Sequence, residues 1–409
     1  MSDIQVYRTS RSTPVTLPAP VAIHDGVHPE RPAAKPAGAY GETSGGSPSR
    51  NGRTAQAPPH GRLEVSWERT VADAPQEIKS LLAAAARIYV GGSMTWKLLD
   101  AGSGKVVAQG IRGLGEPVLD GALSLLYQPD KNGQLDGLHF DAGQKVFWSP
   151  LHLNADLLRK FTARVGDSLF LFGSERWQPG HDNFEPSLTV LEALPVRPAP
   201  EVRPSGQLNP GGAKPLLWKS VNWTAAAWPQ GIAIAFPGQI HLVDESLEIL
   251  RVLTGSFDAV ALSVDEEGYL HLIVDEPGKP RALWIVAPDG VRTLRLPLPK
   301  PYDQASTPPL ILHGRQVIVQ APAGLFCVGA DGVTHWARTL AVGSGAVVLS
   351  DDTLLATDGH DLVTFDREGQ RAVLHHFPEH ALIGPPIPGD AGEITVATKT
   401  QVLRLTPRK

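Results

Sequence analysis

The stretch HHFPEH at 375–380 carries the densest group of residues able to bind a metal ion. It supplies His375, His376 and His380 together with the carboxylate of Glu379, and a metal site requires several such donors to converge on one point. Neighbouring residues of a strand point to opposite faces of a sheet, so His375 and His376 would not face one ion. The proline favours a loop, and no H-E-x-x-H spacing is present. We therefore interpret the stretch as a polar connecting loop and expect no metal or other cofactor.

Two further polar stretches and the one cysteine fit structural roles better than catalytic ones. DKNGQLDG at 130–137 lacks the closing glutamate of a calcium loop, and its Asn-Gly pair is typical of a hairpin turn. GHDNFEP at 180–186 pairs a histidine with an aspartate, but no G-x-S-x-G nucleophile motif accompanies them. Cys327 lies among apolar residues in LFCVG, which favours a buried, unreactive thiol. The sequence therefore predicts no catalytic residue.

Three tryptophans at five-residue spacing, Trp218, Trp223 and Trp228, are the best candidates for a partner-binding surface. Large aromatic side chains often anchor a protein partner. The same rings are equally suited to filling the space between packed sheets, because each carries a large apolar area. Both interpretations remain open at the level of sequence.

Composition excludes several classes of function. The 409 residues carry a formal net charge of only -5 and show no basic stripe, so neither nucleic acid nor a membrane surface is an expected partner. A single cysteine excludes an intrachain disulfide and fits a reducing compartment. The first residues lack the apolar core of a secretory signal, and no uninterrupted apolar run is long enough to span a bilayer. These observations predict a cytoplasmic protein.

The elements that would position any site are short strands in a repeating pattern. A repeat unit of three apolar runs separated by turns, such as RIYVGG, WKLLDA and KVVAQGI, recurs at about 40-residue intervals. Runs rich in Val, Ile and Leu are typical of buried strands, and the D-x-x-G and A-D-G stretches between them are typical of turns. In most repeat units a further apolar stretch precedes the three runs, which makes four predicted strands in each unit. The copies lie at 87–111, 123–148, 168–194, 232–253, 269–298, 317–340 and 353–377, with an incomplete one at 393–407.

Four-stranded units repeated at this period predict an all-β protein with a β-propeller fold. We expect eight blades, with seven as the alternative. The incomplete unit at 393–407 lacks an outer strand, and RLEVSWERTV at 62–71 resembles one. An N-terminal strand that pairs within the C-terminal blade would close the ring and protect its sheet edges.

The chain divides into two regions. Residues 1–60 contain nine prolines and few apolar residues, which favours a disordered tail. Residues 61–409 form the propeller domain, with a Pro-rich surface insert at about 194–215. In the repeat alignment Asp120, Asp258 and Asp351 open inner strands, so they are the candidates for a site in a central channel.

The units AGSGKVV (101–107) and GLFCVGADGVTHW (324–336) resemble the repeat of quinoprotein-type, pyrroloquinoline-quinone-like β-propellers. The resemblance extends over residues 62–409 as a repeating texture and implies the fold. That superfamily includes quinone-dependent dehydrogenases and non-catalytic scaffolds. The dehydrogenases carry a disulfide between adjacent cysteines, which a chain with one cysteine cannot form, so the resemblance assigns no catalytic residue here.

We therefore expect a non-enzymatic scaffold that binds other proteins, with no cofactor. One version of this role resembles the propeller components that some bacteria encode beside MoxR-type AAA+ ATPases and von Willebrand-A proteins. The alternative is an enzyme or small-ligand binder that uses the central channel. That alternative requires the aspartates at the inner strands to converge.

Overall fold

The structure is a computed structural model. It describes residues 6–8, 16–26, 42–43, 52–71, 77–84, 86–111, 117–120, 125–129, 135–139, 145–147, 157–165, 168–175, 188–195, 216–219, 223–312 and 316–408. Within them the regular secondary structure is β-strand apart from a 3₁₀ turn at Tyr302–Gln304. None of the described residues forms a helix with the length and hydropathy that a membrane crossing requires. The expectation of an all-β protein is confirmed.

Five strands precede the first complete sheet. They are β1 (Val6–Arg8), β2 (Val21–Ala22), β3 (His24–Asp25), β4 (Glu42–Thr43) and β5 (Leu63–Thr70).

The remaining strands form eight sheets of consecutive antiparallel strands, named sheets 1 to 8 in chain order. Sheet 1 contains β6 (Ser80–Ala84), β7 (Arg87–Gly91), β8 (Thr95–Asp100) and β9 (Val106–Ile111). Sheet 2 contains β10 (Val118–Asp120), β11 (Leu125–Pro129), β12 (Leu135–His139) and β13 (Lys145–Phe147). Sheet 3 contains β14 (Leu157–Val165), β15 (Ser168–Glu175), β16 (Leu188–Pro195) and β17 (Leu216–Lys219). Sheet 4 contains β18 (Thr224–Trp228), β19 (Gly231–Phe236), β20 (Gln239–Asp244) and β21 (Ile249–Thr254).

The second half of the chain repeats this order. Sheet 5 contains β22 (Asp258–Val264), β23 (Leu270–Asp275), β24 (Ala282–Val286) and β25 (Val291–Pro297). Sheet 6 contains β26 (Leu310–Ile311), β27 (Gln316–Ala321), β28 (Gly324–Gly329) and β29 (Thr334–Thr339). Sheet 7 contains β30 (Ala346–Val348), β31 (Leu354–Asp358), β32 (Asp361–Phe365) and β33 (Arg371–His376). Sheet 8 contains β34 (Ile383–Pro388), β35 (Ile394–Ala397) and β36 (Gln401–Pro407).

The fourth strand of sheet 8 comes from the other end of the chain. Strand β5 pairs antiparallel with β36 from Leu63 opposite Pro407 to Thr70 opposite Gln401. This is the segment that the sequence proposed as the missing outer strand. Sheet 8 is therefore assembled from residues that are more than 300 positions apart.

The apolar core lies between consecutive sheets. Strands β19 and β24 are buried at every position, because neighbouring sheets cover both of their faces. Leu242 of sheet 4 and Leu272 of sheet 5 belong to one buried cluster, and Ile88 of sheet 1 shares another with Val402 of sheet 8. Further buried apolar clusters join the other pairs of consecutive sheets, except that sheets 2 and 3 meet through contacts between their first strands, β10 and β14. Each sheet thus packs on the next, and the eighth packs on the first.

The aspartates of the turns hold the backbone between strands. Asp331 Oδ1 accepts a hydrogen bond from the backbone N–H of Val333 at 3.0 Å, and Gly332 between them has φ +82°. A side chain at Gly332 would be strained in this left-handed conformation. Asp366 Oδ1 likewise accepts from the N–H of Gln370 at 2.7 Å. These contacts give the aspartates of the Asp-Gly stretches a structural role in turns rather than a catalytic one.

Parts of the N-terminal region pair with the sheets. The disordered tail expected over residues 1–60 stays a prediction, because many of those residues lie outside the described ones. Strand β1 pairs with β17, while β2 and β3 pair in parallel with the outer strands β21 and β25. Arg292 of β25 also holds Asp25 through two hydrogen bonds of 2.9 and 3.0 Å. Backbone pairing of this kind needs few apolar side chains, so composition could not reveal it. Residues 196–215 of the predicted Pro-rich insert lie outside the residues that the structure describes.

Candidate functional site

Each first strand has one edge that its second strand does not occupy, called here the inner edge. In sheet 7 this edge of β30 is occupied by residues 52–56, the inner-edge segment. The N–H of Thr54 donates to the carbonyl of Val348 at 2.9 Å, and the N–H of Val348 donates to the carbonyl of Gly52 at 2.9 Å. The N–H of Ser350 donates to the carbonyl of Gln56 at 3.0 Å. The protein's own chain therefore fills this part of the inner edge.

A buried ion pair fixes the inner-edge segment. Arg53 Nη1 lies 2.7 Å from Asp352 Oδ1, and the Asp352 side chain is 0% exposed. Arg367 Nη2 binds the other carboxylate oxygen at 2.5 Å. A carboxylate removed from water is tolerated only when cations and hydrogen-bond donors satisfy it, and two guanidinium groups do so here. Arg53 also donates to the carbonyl of Ile311 at 3.3 Å and so reaches the first strand of sheet 6.

Two more contacts extend the segment across neighbouring sheets. A Cβ atom at Gly52 would lie 2.2 Å from the Leu310 side chain of β26, and Gly52 has φ +68°, so glycine is strongly favoured there. Gln56 Nε2 donates to Asp390 Oδ1 at 2.7 Å, in the turn between β34 and β35. The segment thus contacts sheets 6, 7 and 8 at their inner strands or adjoining turns. No motif in the sequence indicates these contacts, since an isolated glycine and an isolated arginine are the only residue types involved that stand out.

The three aspartates proposed for the channel do not share one position in the fold. Asp258 begins β22, as predicted, and is exposed. Asp120 instead ends β10, and Asp351 lies in the turn after β30. Asp351 Oδ1 accepts from the N–H of Thr353 at 3.0 Å, which is a turn contact. The repeat alignment was wrong in register for Asp120 and Asp351, because their first strands span only three residues.

The histidines of HHFPEH are divided among separate partners. His375 and His376 end strand β33, so the loop interpretation applies only from Phe377 onward. His375 Nδ1 lies 3.2 Å from the carbonyl of Leu63, and His380 Nε2 lies 3.2 Å from Glu68 Oε2. Among the described residues no group of three or more His, Cys, Asp or Glu side chains is arranged to hold a metal ion.

The lone cysteine is inert by its surroundings. Cys327 lies within β28, its side chain is 0% exposed, and burial raises the pKa of its thiol to about 12. The thiolate is the reactive form of cysteine, so this residue is unsuited to nucleophilic or redox chemistry at neutral pH.

The tryptophans pack between sheets. Trp218 is 0% exposed, and its ring centroid lies 5.3 Å from that of Phe236. Its Nε1 donates to His241 Nδ1 at 3.3 Å. Trp223 is partly buried against the same apolar cluster, and the indole N–H of Trp228 donates to the carbonyl of Gly268 at 3.3 Å. These positions correspond to the packing alternative, and the three rings do not form one exposed surface.

Trp228 does line a pocket between sheets 4 and 5. The pocket has a volume of about 350 Å³. Apolar or aromatic surface comes from Trp228, Tyr269, Leu250 and Pro288, and charge comes from Arg251 and Glu267. Sites for small ligands or single side chains commonly combine apolar walls with a few polar groups in this way. Apart from Trp228, the sequence offered no signal for these residues, because the pocket arises only when the two sheets pack.

No protein-family model matches the sequence, and no curated protein matches it. Among solved structures, the quinohemoprotein alcohol dehydrogenase from Comamonas testosteroni is similar with a TM-score of 0.55 and 9% identity, covering 90% of this chain and 80% of that one. The C-terminal WD40 domain of Sif2 has a TM-score of 0.52 and 10% identity, covering 85% of this chain and 99% of that one. Virginiamycin B lyase from Staphylococcus aureus has a TM-score of 0.46, with 8% identity, and covers 85% of this chain and 100% of that one.

These similarities concern the fold alone, since their sequence identities are near 10%. The expectation of an all-β, propeller-like fold is confirmed. An enzyme stands among the similar structures, so the fold leaves catalytic and non-catalytic roles equally open.

Proposed function

We propose that the protein is a non-enzymatic scaffold that binds other proteins, built on a closed ring of eight four-stranded blades. Eight consecutive meander sheets support the ring, as does the apolar packing of sheet 8 on sheet 1. The pairing of β5 with β36 supports closure by an N-terminal strand. A ring of this kind leaves few free sheet edges and offers rigid surfaces for partners.

The observation that carries the proposal is the inner-edge segment held by Arg53 and Asp352. In a propeller the inner edges of the first strands face the central channel, which is where a channel enzyme binds its substrate. Residues 52–56 occupy such an edge through three backbone hydrogen bonds and a buried ion pair. A substrate would have to displace these contacts, which favours a structural use of the channel.

The second candidate function is a channel-centred enzyme or small-ligand binder. Its support is the similarity of fold to an alcohol dehydrogenase. Such a site requires polar groups that converge at one end of the channel. Asp258 begins its strand, whereas Asp120 ends its strand. In a ring of equivalent meanders the first strands run in one direction, so these two aspartates belong to opposite faces. The scaffold is therefore the preferred function.

The pocket beside Trp228 is the proposed docking point for a partner protein. It combines an exposed apolar side chain, Leu250, with aromatic walls and mixed charge. Such a pocket can receive one anchoring side chain from a partner. A more specific form of the scaffold proposal names a MoxR-type ATPase and a von Willebrand-A protein as the partners. That form rests on the resemblance of the sequence alone.

Affinity capture from source-cell lysate tests the proposal. The bait is the full chain, compared with Leu250→Asp in the pocket and with Val333→Asp as a matched control. Both positions are exposed apolar residues, at 43% and 56%. We expect one protein to be captured stoichiometrically by the wild type and the control, and at least tenfold less by Leu250→Asp. Capture of no stoichiometric partner by the wild type would contradict the scaffold, and equal capture by Leu250→Asp would remove the pocket from it.

A further inference from the structure

We propose that His360 and His376 form a binding site for one divalent transition-metal ion of the Ni²⁺, Cu²⁺ or Zn²⁺ type. The two side chains lie near each other at the end of sheet 7 where the turn between β31 and β32 meets the last residue of β33. His360 stands in the turn between β31 and β32, and His376 ends β33. Their ring centroids are 6.5 Å apart, and both side chains are exposed to solvent.

The hydrogen bonds of both rings fix which nitrogen is available. His360 Nδ1 lies 2.9 Å from the carbonyl oxygen of Phe377, and His376 Nδ1 lies 2.7 Å from Asp361 Oδ1. A carbonyl oxygen and a carboxylate can only accept, so each Nδ1 carries the proton and donates. The neutral rings therefore present a lone pair at Nε2. Neither Nε2 has a hydrogen-bond partner among the described residues.

This pattern is the one that metal-binding histidines use in proteins. Their second nitrogen is usually held by a carboxylate or a backbone carbonyl, which orients the ring and makes the free nitrogen a better ligand. His360 has the carbonyl and His376 has the carboxylate. Imidazole nitrogen favours nickel, copper and zinc over calcium or magnesium. Water would complete the coordination, since two protein ligands are present.

The carboxylate behind His376 is well anchored. Arg371 Nη2 donates to Asp361 Oδ2 at 2.7 Å, while the other oxygen of Asp361 accepts from His376. Arg371 Nη2 also contacts Asp358 Oδ2 at 3.1 Å, which ties the group to the end of β31. The support for the His376 ring is therefore fixed before any ion arrives.

The distance between the rings permits a shared ion. At metal–nitrogen distances of about 2.1 Å, two imidazoles on one ion hold their centroids roughly 5 to 6 Å apart. The observed separation of 6.5 Å is close to this range. A shift of roughly 0.5 Å in each exposed ring would close the remaining gap while each Nδ1 stays near its present partner. The other two histidines of HHFPEH are excluded from the site, since they face Leu63 and Glu68.

Calorimetric titration of the untagged full chain with NiCl₂ at pH 7.5 tests the proposal. We expect one saturable equivalent, weakened at least tenfold in His360→Asn and in His376→Asn. The control is His335→Asn, which removes an exposed histidine of β29 and leaves the affinity unchanged. Copper titrated in place of nickel gives an electron paramagnetic resonance spectrum with two coordinated nitrogens in the wild type.

A melting curve of each variant confirms that it is folded, so a loss of binding is read at the site itself. The absence of saturable nickel binding by the wild type would overturn the proposal. Equal affinity in the wild type and both site variants would also overturn it, because the ion would then lie elsewhere.

Discussion

Arg53 and Asp352 lie 299 positions apart in the chain and 2.7 Å apart in the structure. The contact joins a region of polar, proline-rich sequence to the turn after the first strand of sheet 7. Asp352 has φ +68°, a conformation that costs a non-glycine residue energy unless its surroundings impose it. The ion pair and the adjacent backbone hydrogen bonds supply those surroundings. The stability of the fold should therefore depend on residues that precede the repeats.

Replacement of Arg53 by alanine should destabilise the protein by about 3 kcal/mol, because it removes one partner of a buried ion pair. Asp352 would keep Arg367 but lose the cation on its other oxygen. Urea unfolding followed by tryptophan fluorescence measures the change. Arg367→Ala is the matched control, since Arg367 is 57% exposed and its loss should cost about 1 kcal/mol or less. Equal losses in the two variants would contradict the importance assigned to Arg53.

Deletion of residues 1–60 should lower the urea midpoint further than Arg53→Ala does. The deletion removes the ion pair and also uncovers the outer strands of sheets 3, 4 and 5, which β1, β2 and β3 pair with in the full chain. Uncovered strands pair readily with other molecules, so light scattering on storage should increase as well. An unchanged midpoint for residues 61–409 would mean that the N-terminal contacts contribute nothing to stability.

Stability should fall as the pH drops below about 6.5, with His241 as one cause. Burial lowers the pKa of His241 from 6.5 to about 4. The unfolded chain then binds a proton between pH 6.5 and pH 4 that the folded protein does not bind, so unfolding is favoured as the pH falls through this window. Well above pH 6.5 the contribution is constant, because the histidine is then neutral in both states.

The difference in unfolding free energy between pH 7 and pH 5 should include about 2 kcal/mol from this residue. Urea unfolding at both pH values measures it, and His241→Asn removes the contribution while leaving those of other groups. His241 Nδ1 accepts from Trp218, and its Nε2 donates to Gln239 Oε1 at 3.0 Å, so the neutral ring is the form that fits. An equal pH dependence in wild type and variant would show that His241 is not the group responsible.

Cys327 should resist alkylation while the protein is folded. Its thiol is buried and its pKa is raised to about 12, so almost no thiolate exists at pH 8. Reaction with iodoacetamide, read by intact mass, should be at least a hundredfold slower in buffer than in 8 M urea. Comparable rates in the two conditions would contradict the buried position of β28.

Much of the fold was predictable because each strand and turn of the repeat is specified by residues that are close together in the sequence. Apolar runs and Asp-Gly turns specify meander strands one by one, as the contact from Asp331 to Val333 illustrates. The pairing of β5 with β36 was also predictable, since an incomplete last unit and a spare first strand suggest each other. Local patterns of this kind do not depend on distant parts of the chain.

The site could be predicted far less well. The inner-edge segment uses backbone hydrogen bonds and one arginine, so its composition is indistinguishable from that of an unpaired region. His360 and His376 belong to different motifs of the sequence and meet only when β32 pairs with β33. Trp218 was a candidate for a partner surface because ring spacing carries no information about burial.

A crystal structure of the untagged full chain would show whether the protein's own N-terminal region occupies the channel side of the sheets. We expect eight sheets around one axis, with residues 52–56 along the inner edge of β30 and Arg53 within hydrogen-bond distance of Asp352. We also expect β5 to complete the sheet of β34, β35 and β36. An open channel bounded by β30, with residues 52–56 located elsewhere, would contradict the self-occupied scaffold and favour the channel-centred enzyme.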